Sequence, residues 1–338
     1  MDISIGITGS LSIGFVCGFL GGWIVKCYGE KFGLVSVPNH RSSHSKITPH
    51  GGGIGIVLAG TIAGWMAYTK GHDSAKAIIL SSSILALIGL MDDRYKLNVL
   101  VRIMCQFLSV IIVLLVFQDA WMSGKNIEAY YNYIVLSCWI VGGLWWINVY
   151  NFMDGIDTIA GLETIYILLS AVLLGYNGNW VVWDWMLTLA AAAGGFLLLN
   201  LPPAKVFMGD VGSTYLGFMI FVFMIETAAQ NTLSIATWLI LCAVFVSDAT
   251  VTLLMRIIST ESWFKAHRTH AYQILAHRWQ NHGKVAILVT VINVAWLLPW
   301  AWVAEYNKRY WSVIAVALAY IPLILTVIFT RKRYIQTT

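Results

Sequence analysis

Residues 133–150 read YIVLSCWIVGGLWWINVY and run without a break into NFMDGID at 151–157. The first part holds no charged side chain over 18 residues, close to the about 20 that an α-helix needs to cross the hydrocarbon core of a bilayer. The second part sets amides and carboxylates at the end of that helix. Runs of the same kind recur at 3–25, 52–69, 77–91, 101–118, 160–175, 185–201, 213–228, 234–255, 285–303 and 311–330, which makes eleven in all. The fold class expected is therefore all-α: a polytopic membrane protein with about eleven transmembrane helices, forming a single integral membrane domain over 1–338. The shortest runs, 77–91 and 160–175, are expected to extend into flanking polar motifs or to sit among other helices.

Composition agrees. The 338 residues are 59% hydrophobic and 11% charged, with a mean hydropathy of +0.74, whereas soluble domains are about a quarter charged. This excludes a disordered, collagenous or nucleic-acid-wrapping protein. No basic stretch precedes the run at 3–25, and Lys26 follows it, so it reads as a retained span. The cysteines Cys17, Cys27, Cys105, Cys138 and Cys242 are odd in number and widely spaced; they read as small apolar core residues.

With eleven spans the termini lie on opposite sides. The loops after the first, third, fifth, seventh and ninth runs, together with the C-terminal tail, carry sixteen Lys and Arg against five on the other side. By the positive-inside rule the first set is cytoplasmic, the C-terminus is cytoplasmic and the N-terminus is outside.

Every polar cluster falls on the cytoplasmic side. Asp92 and Asp93 close an apolar helix with Lys96 just after them; adjacent acids repel and need a metal or other cation. Asn148, Asn151, Asp154 and Asp157 are spaced by three, which lines them along one helical face if the helix continues. Such a row at membrane depth is costly without a ligand. In Phe207–Ser213, glycines flank Asp210 and allow close approach of a phosphate or metal, while Ser213 can cap the next helix with its amides toward an anion. Lys205 stands just upstream. The loop after the ninth run carries His267, Arg268 and His270 among further basic residues, suited to an arm over phosphate oxygens. The first cytoplasmic loop, His40 to Gly53, is basic and ends in a glycine run.

These motifs resemble those of the polyprenyl-phosphate N-acetylhexosamine-1-phosphate transferases. Asp92–Lys96 is similar to the family's DDxxK, Asn148–Asp157 to NxxNxxDGxDGL, and Phe207–Ser213 to FxGDxGS. Two positions depart: Thr158-Ile159 stands where the family has Gly-Leu, and His270-Ala271-Tyr272-Gln273 stands for HxHH. The latter form resembles a subgroup used in O-antigen synthesis. The resemblance implies transfer of an N-acetylated amino-sugar 1-phosphate from a UDP-sugar to undecaprenyl phosphate, with release of UMP, at the cytoplasmic face of a bacterial inner membrane. It implies Mg2+, or Mn2+, on Asp210 with Asn151 as second ligand, since an octahedral oxygen-liganded ion suits this inventory. It further implies that Asp92 and Asp93 position or deprotonate the lipid phosphate, and that Lys96 holds a phosphate oxygen. Asn148, Asp154, Asp157, Ser213 and Lys205 are implied in substrate binding, with Asp157 nearest the nucleoside; Arg268, His267 and His270 clamp the pyrophosphate or sugar. Tyr272 and Gln273, standing for family histidines, are expected to contact the sugar and to suit one lacking the 6-hydroxyl. A homodimer is compatible with this. No nucleic acid partner is expected. The alternative is an ion-coupled secondary transporter, whose ionisable groups lie near the bilayer midplane within broken helices; here they gather at uninterrupted helix ends.

Overall fold

The computed structural model describes residues 3–36, 47–118, 129–175, 179–259, 268–307 and 310–336. It is 82% helical. The helices are α1 (Ile3–Tyr28), α2 (Ile54–Thr69), α3 (Ala75–Tyr95), α4 (Val99–Val116), α5 (Ala129–Met153), α6 (Ile159–Leu174), α7 (Trp180–Asn200), α8 (Asp210–Ala229), α9 (Ile235–Leu241), α10 (Ala243–Ile258), α11 (Ala271–Trp279), α12 (His282–Ile292), α13 (Leu298–Tyr306) and α14 (Tyr310–Ile335). A two-stranded antiparallel ribbon, β1 (Val35–Ser36) with β2 (Thr48–Pro49), pairs Val35 with Pro49 and Ser36 with Thr48.

Each apolar run falls on a helical segment. Among the described residues eight helical stretches are long and apolar enough to cross a membrane, or nine if α9 and α10, which meet at a 72° bend, form one span. The chain is a multi-pass membrane protein. α2 and α6, at 16 residues each, are the shorter apolar helices. α12 passes into α13 through a π-helical turn at Asn293–Leu297. Pro299 follows that turn, and its missing N–H and ring account for the irregular hydrogen bonding.

α8 is the hub. Its residues from Val211 to Thr227 are all buried, and it packs on α3 and α5, as a helix apolar on every side should. α1 packs along α7. Helix starts follow ordinary chemistry: the side chains of Asn98, Asn179, Ser234 and Asn281 accept hydrogen bonds from the first-turn amides of α4, α7, α9 and α12. Of the five cysteines only Cys242 is fully buried, while Cys27 and Cys138 are exposed. The core reading therefore holds for Cys242 and, at the edge of the core, for the half-buried Cys17 and Cys105; it fails for Cys27 and Cys138, because exposure to lipid penalises a thiol no more than burial does.

Candidate active site

The ends of α3, α5 and α8 meet. Asp93, at the end of α3, accepts hydrogen bonds from the backbone N–H of Asp210 (2.8 Å) and of Val211 (3.2 Å), so its carboxylate seats on the first turn of α8. His50 Nε2 lies 2.7 Å from Asp93 Oδ1. Asp92 accepts from the Leu97 N–H at 2.6 Å and pairs with Arg102 of α4 at 2.6 Å; the same guanidinium reaches Asp210 at 3.1 Å. The cations that the adjacent acids require are thus His50 and Arg102. Neither was assigned that task from sequence. His50 was only part of a basic loop and Arg102 only one charge in a topology count.

Burial works against the imidazolium of His50, but the hydrogen bond and charge of Asp93, with Asp210 beyond, outweigh it and raise its pKa above the ordinary histidine value.

Asn151 of α5 donates from its amide to Asp210 Oδ1 and to Ser213 Oγ, both at 2.9 Å. Ser213 donates in turn to the Gly209 carbonyl at 3.1 Å. The expected row along α5 is not formed. The helix ends at Met153, so Asp154 and Asp157 lie beyond it, and Asn148 turns to Gln106 Oε1 of α4 at 2.8 Å. Asp154 is half-buried; loss of hydration pushes its carboxyl well above the usual range, and the charges of Asp210, Asp93 and Asp157 push the same way against His50.

The glycines serve a different approach from the one expected. Gly209 has φ +81°, and a Cβ there would stand 2.5 Å from Asp93 Oδ2. A Cβ on Gly53 would stand 2.4 Å from the Cα of Gly212. They bring chain against chain rather than chain against phosphate. The Gly52 and Gly53 amides donate to the Phe207 and Met208 carbonyls at 2.8 and 2.9 Å, which zips the end of the loop between α1 and α2 onto the segment leading to Asp210. The anion seated on the first amides of α8 is accordingly the Asp93 carboxylate, and the N-cap is Gly209 rather than Ser213.

Three ligand atoms, from His50, Asp93 and Asp210, lie within 4.8 Å of one another. The set suits a divalent cation: two carboxylates supply hard oxygens, and the buried His50 Nδ1 has no hydrogen-bond partner among the described residues. Of the side chains at this centre Asp93 is 1% and Asp92 7% exposed, against 26% for Asp210 and 24% for Arg102. Asp210 and Arg102, with His50 at 22%, are therefore the groups an incoming ligand meets.

Next to this centre lies a cavity of about 780 Å³ lined by Asp157, Lys205, Phe207, Arg268, His277 and His282, among others. Phe207 is three residues from Asp210, which ties cavity and acid cluster together. Among the described residues Asp157 is the one acid on the wall; its Oδ2 accepts from the Ala204 N–H at 3.1 Å and stands 3.3 Å from His282 Nδ1. The excess of Lys, Arg and His over acid suits an anionic guest. His277 and His282 were not singled out from sequence; as single histidines away from the acid motifs they gave no signal. Lys96 is exposed, in a left-handed conformation (φ 53°) that ends α3. His267 lies outside the described residues.

His270 and Tyr272 are placed unlike the expectation. His270 is buried, its Nδ1 3.5 Å from Asp248 Oδ1. Tyr272 is 3% exposed and its hydroxyl donates to the Phe152 carbonyl at 2.9 Å. Neither lines the cavity, whereas Gln273 does. Tyr272 therefore does not offer an aromatic face to a sugar: in the helix that starts at Ala271 successive side chains point about 100° apart, which lets Tyr272 face the end of α5 while Gln273 faces the cavity.

The family model for glycosyl transferase family 4 matches residues 75–228, the segment that holds all three acid motifs. A Bacillus subtilis (strain 168) protein named as a probable undecaprenyl-phosphate N-acetylglucosaminyl 1-phosphate transferase is 29% identical over 282 residues, 80% of this chain and 77% of the relative. The Escherichia coli (strain K12) undecaprenyl-phosphate alpha-N-acetylglucosaminyl 1-phosphate transferase is 29% identical over 296 residues, covering 82% and 78%. A Yersinia pestis protein of the same name is 26% identical over 279 residues, covering 77% and 74%. The matched segment, the relatives along most of the chain and the motifs on converging helix ends all support the resemblance to the polyprenyl-phosphate N-acetylhexosamine-1-phosphate transferases of glycosyl transferase family 4.

Proposed function

We propose that this enzyme transfers an N-acetylated amino-sugar 1-phosphate from a UDP-sugar to undecaprenyl phosphate, releasing UMP and forming the lipid-linked pyrophosphoryl sugar that starts O-antigen or another envelope polysaccharide. The observation that carries the reading is the juxtaposition of the Asp92–Asp93–Asp210 centre with a basic-lined cavity of about 780 Å³. One half offers an ion site and the other a seat for an anionic nucleotide.

The relatives' names supply the acceptor lipid and, for them, N-acetylglucosamine. With eleven crossings, the sixteen-to-five distribution of basic residues supports an outside N-terminus and a centre on the cytoplasmic face of the inner membrane, where nucleotide sugars are available.

In this reading a lipid phosphate oxygen attacks the β-phosphorus and UMP leaves. Such a reaction is run by positioning and charge neutralisation. Asp210, with Asn151 beside it, would hold Mg2+ or Mn2+, which would supply neutralisation of phosphate charge. Asp93, with both carboxylate oxygens engaged by α8, positions Asp210. Asp92 and Arg102 form the pair facing the lipid phosphate, and Lys96 adds a cation at the rim. Asp157 orients the nucleoside, Asp154 stands between it and the end of α5, and Lys205 and Arg268 meet the diphosphate. Ser213 and Asn148 hold Asn151 and α5 in register, and His270 acts from behind the wall. Purified protein in nanodiscs, given undecaprenyl phosphate, Mg2+ and a panel of UDP-amino sugars, should release UMP with at least one of them. Release of UDP would make it a different kind of glycosyltransferase.

A further inference from the structure

Asp248 on α10 belongs to none of the sequence motifs. Its carboxylate is buried, 4% exposed. Oδ1 accepts from the Ala271 N–H at 2.8 Å and Oδ2 from the Tyr272 N–H at 2.9 Å; the Thr252 hydroxyl donates to Oδ1 at 3.2 Å, and His270 Nδ1 is 3.5 Å away. A buried carboxylate is tolerated when its lone pairs are met, and the open amides at a helix N-terminus meet them well. α11 is thereby fastened at its start to a helix inside the membrane bundle.

A second tether lies one residue further on. The Tyr272 hydroxyl donates to the Phe152 carbonyl at 2.9 Å, at the end of α5, beside Asn151 and two residues before Asp154. Gly155 leaves room for it, since a Cβ there would stand 2.0 Å from that hydroxyl. Other residues of α11, Gln273, Ala276 and His277, line the cavity. The helix is a wall with its cavity face on one side and its two fastenings on the other.

We propose that Asp248 and Tyr272 are positioning residues for the donor half of the reaction. Asp248 fixes α11 so that its cavity face meets the nucleotide sugar, and Tyr272 registers that wall to the end of α5 that carries Asn151 and Asp154. Both act from behind the wall without touching substrate. The acceptor half is untouched, because Asp92, Arg102 and Lys96 stand on α3, α4 and the turn between them. This rests on the transferase reading of the cavity.

The test uses the full-length enzyme in nanodiscs, with UDP-N-acetylglucosamine and undecaprenyl phosphate as substrates and UDP alone as a binding probe. Asp248→Asn turns one acceptor oxygen into a donor facing an N–H; Tyr272→Phe deletes one hydroxyl. Asp248→Asn should raise KM for the UDP-sugar and Kd for UDP by about tenfold, and Tyr272→Phe should raise both by about threefold, with KM for undecaprenyl phosphate unchanged. A parallel rise in both KM values, or unchanged UDP binding, would overturn the proposal. Should Asp248→Asn fail to fold, the same split in Tyr272→Phe decides. A wild-type protein that neither releases UMP nor binds UDP sinks the transferase reading as well; an active wild type with unaltered ratios in the variants sinks this proposal alone.

Discussion

The carboxylate of Asp93 lies across the first turn of α8, 2.8 Å from the N–H of Asp210. One acid of the centre thus fixes the backbone that presents the other. Asp93 and Asp210 should consequently fail in different ways. Asp93→Ala removes a helix cap and leaves buried amides open, so it should cost about 1–3 kcal/mol of stability as well as activity. Asp210→Asn should abolish transfer and weaken Mg2+ binding while the thermal midpoint in detergent stays near that of wild type, because the amide can still face Asn151. Equal destabilisation by both would show that the division of labour is wrong.

Arg102 bridges Asp92 and Asp210 through one nitrogen, at 2.6 and 3.1 Å. Arg102→Gln leaves two neighbouring carboxylates without their cation, and breaking such a part-buried set costs about 3–5 kcal/mol at most. Mg2+, if held at the folded centre as proposed, should recover part of this loss by mass action. Thermal midpoints with and without Mg2+ should therefore differ more in Arg102→Gln than in wild type. An equal or smaller Mg2+ effect in the variant would place the ion away from Asp210.

The spans, the three acid motifs and their shared end of the bundle are legible in the sequence, because apolar runs and adjacent carboxylates report on one segment at a time. What compensates the acids is not. His50 and Arg102 come from a loop and a helix with no local mark of that role, and only packing brings them within 2.7 and 2.6 Å of Asp93 and Asp92. The row from Asn148 to Asp157 reads well on a helical wheel but fails where α5 stops at Met153, at a turn that Tyr272 fastens from 120 residues away. Glycine is ambiguous for a related reason: Gly209 and Gly155 make room for Asp93 and for Tyr272, and a sequence does not say whether the vacated space takes a ligand or another part of the chain.

At the opposite end of the bundle His72 Nε2 stands 2.9 Å from Glu226 Oε1. Burial disfavours the imidazolium, but the hydrogen bond and charge of Glu226, with Asp73 adding to them, raise the His72 pKa above its ordinary value. A group whose pKa is higher folded than unfolded stabilises fully below the unfolded value, about 6.5, and loses that contribution as pH rises through the folded value. The gap in thermal midpoint between wild type and His72→Gln should be widest in mildly acidic buffer and shrink toward alkaline pH. A gap that widens as pH rises would reverse the sign and refute the charged pair.

Topology has its own check. In a background lacking the native cysteines, Gln280→Cys on the cavity wall and Gln230→Cys after α8 should label from opposite sides, Gln280→Cys from the cytoplasm. Labelling of Gln280→Cys from outside whole cells would separate the centre from cytosolic nucleotide sugars.

The most direct measurement follows the phosphorus itself. With a UDP-N-acetylated amino sugar carrying radioactive phosphorus at the β-position, undecaprenyl phosphate and Mg2+, the label should appear in the lipid fraction in step with UMP release, and Asp210→Asn should show neither. Label left in the aqueous phase as UDP while sugar reaches the lipid, or label transferred equally well by Asp210→Asn, would contradict a sugar-1-phosphate transfer centred on Asp210.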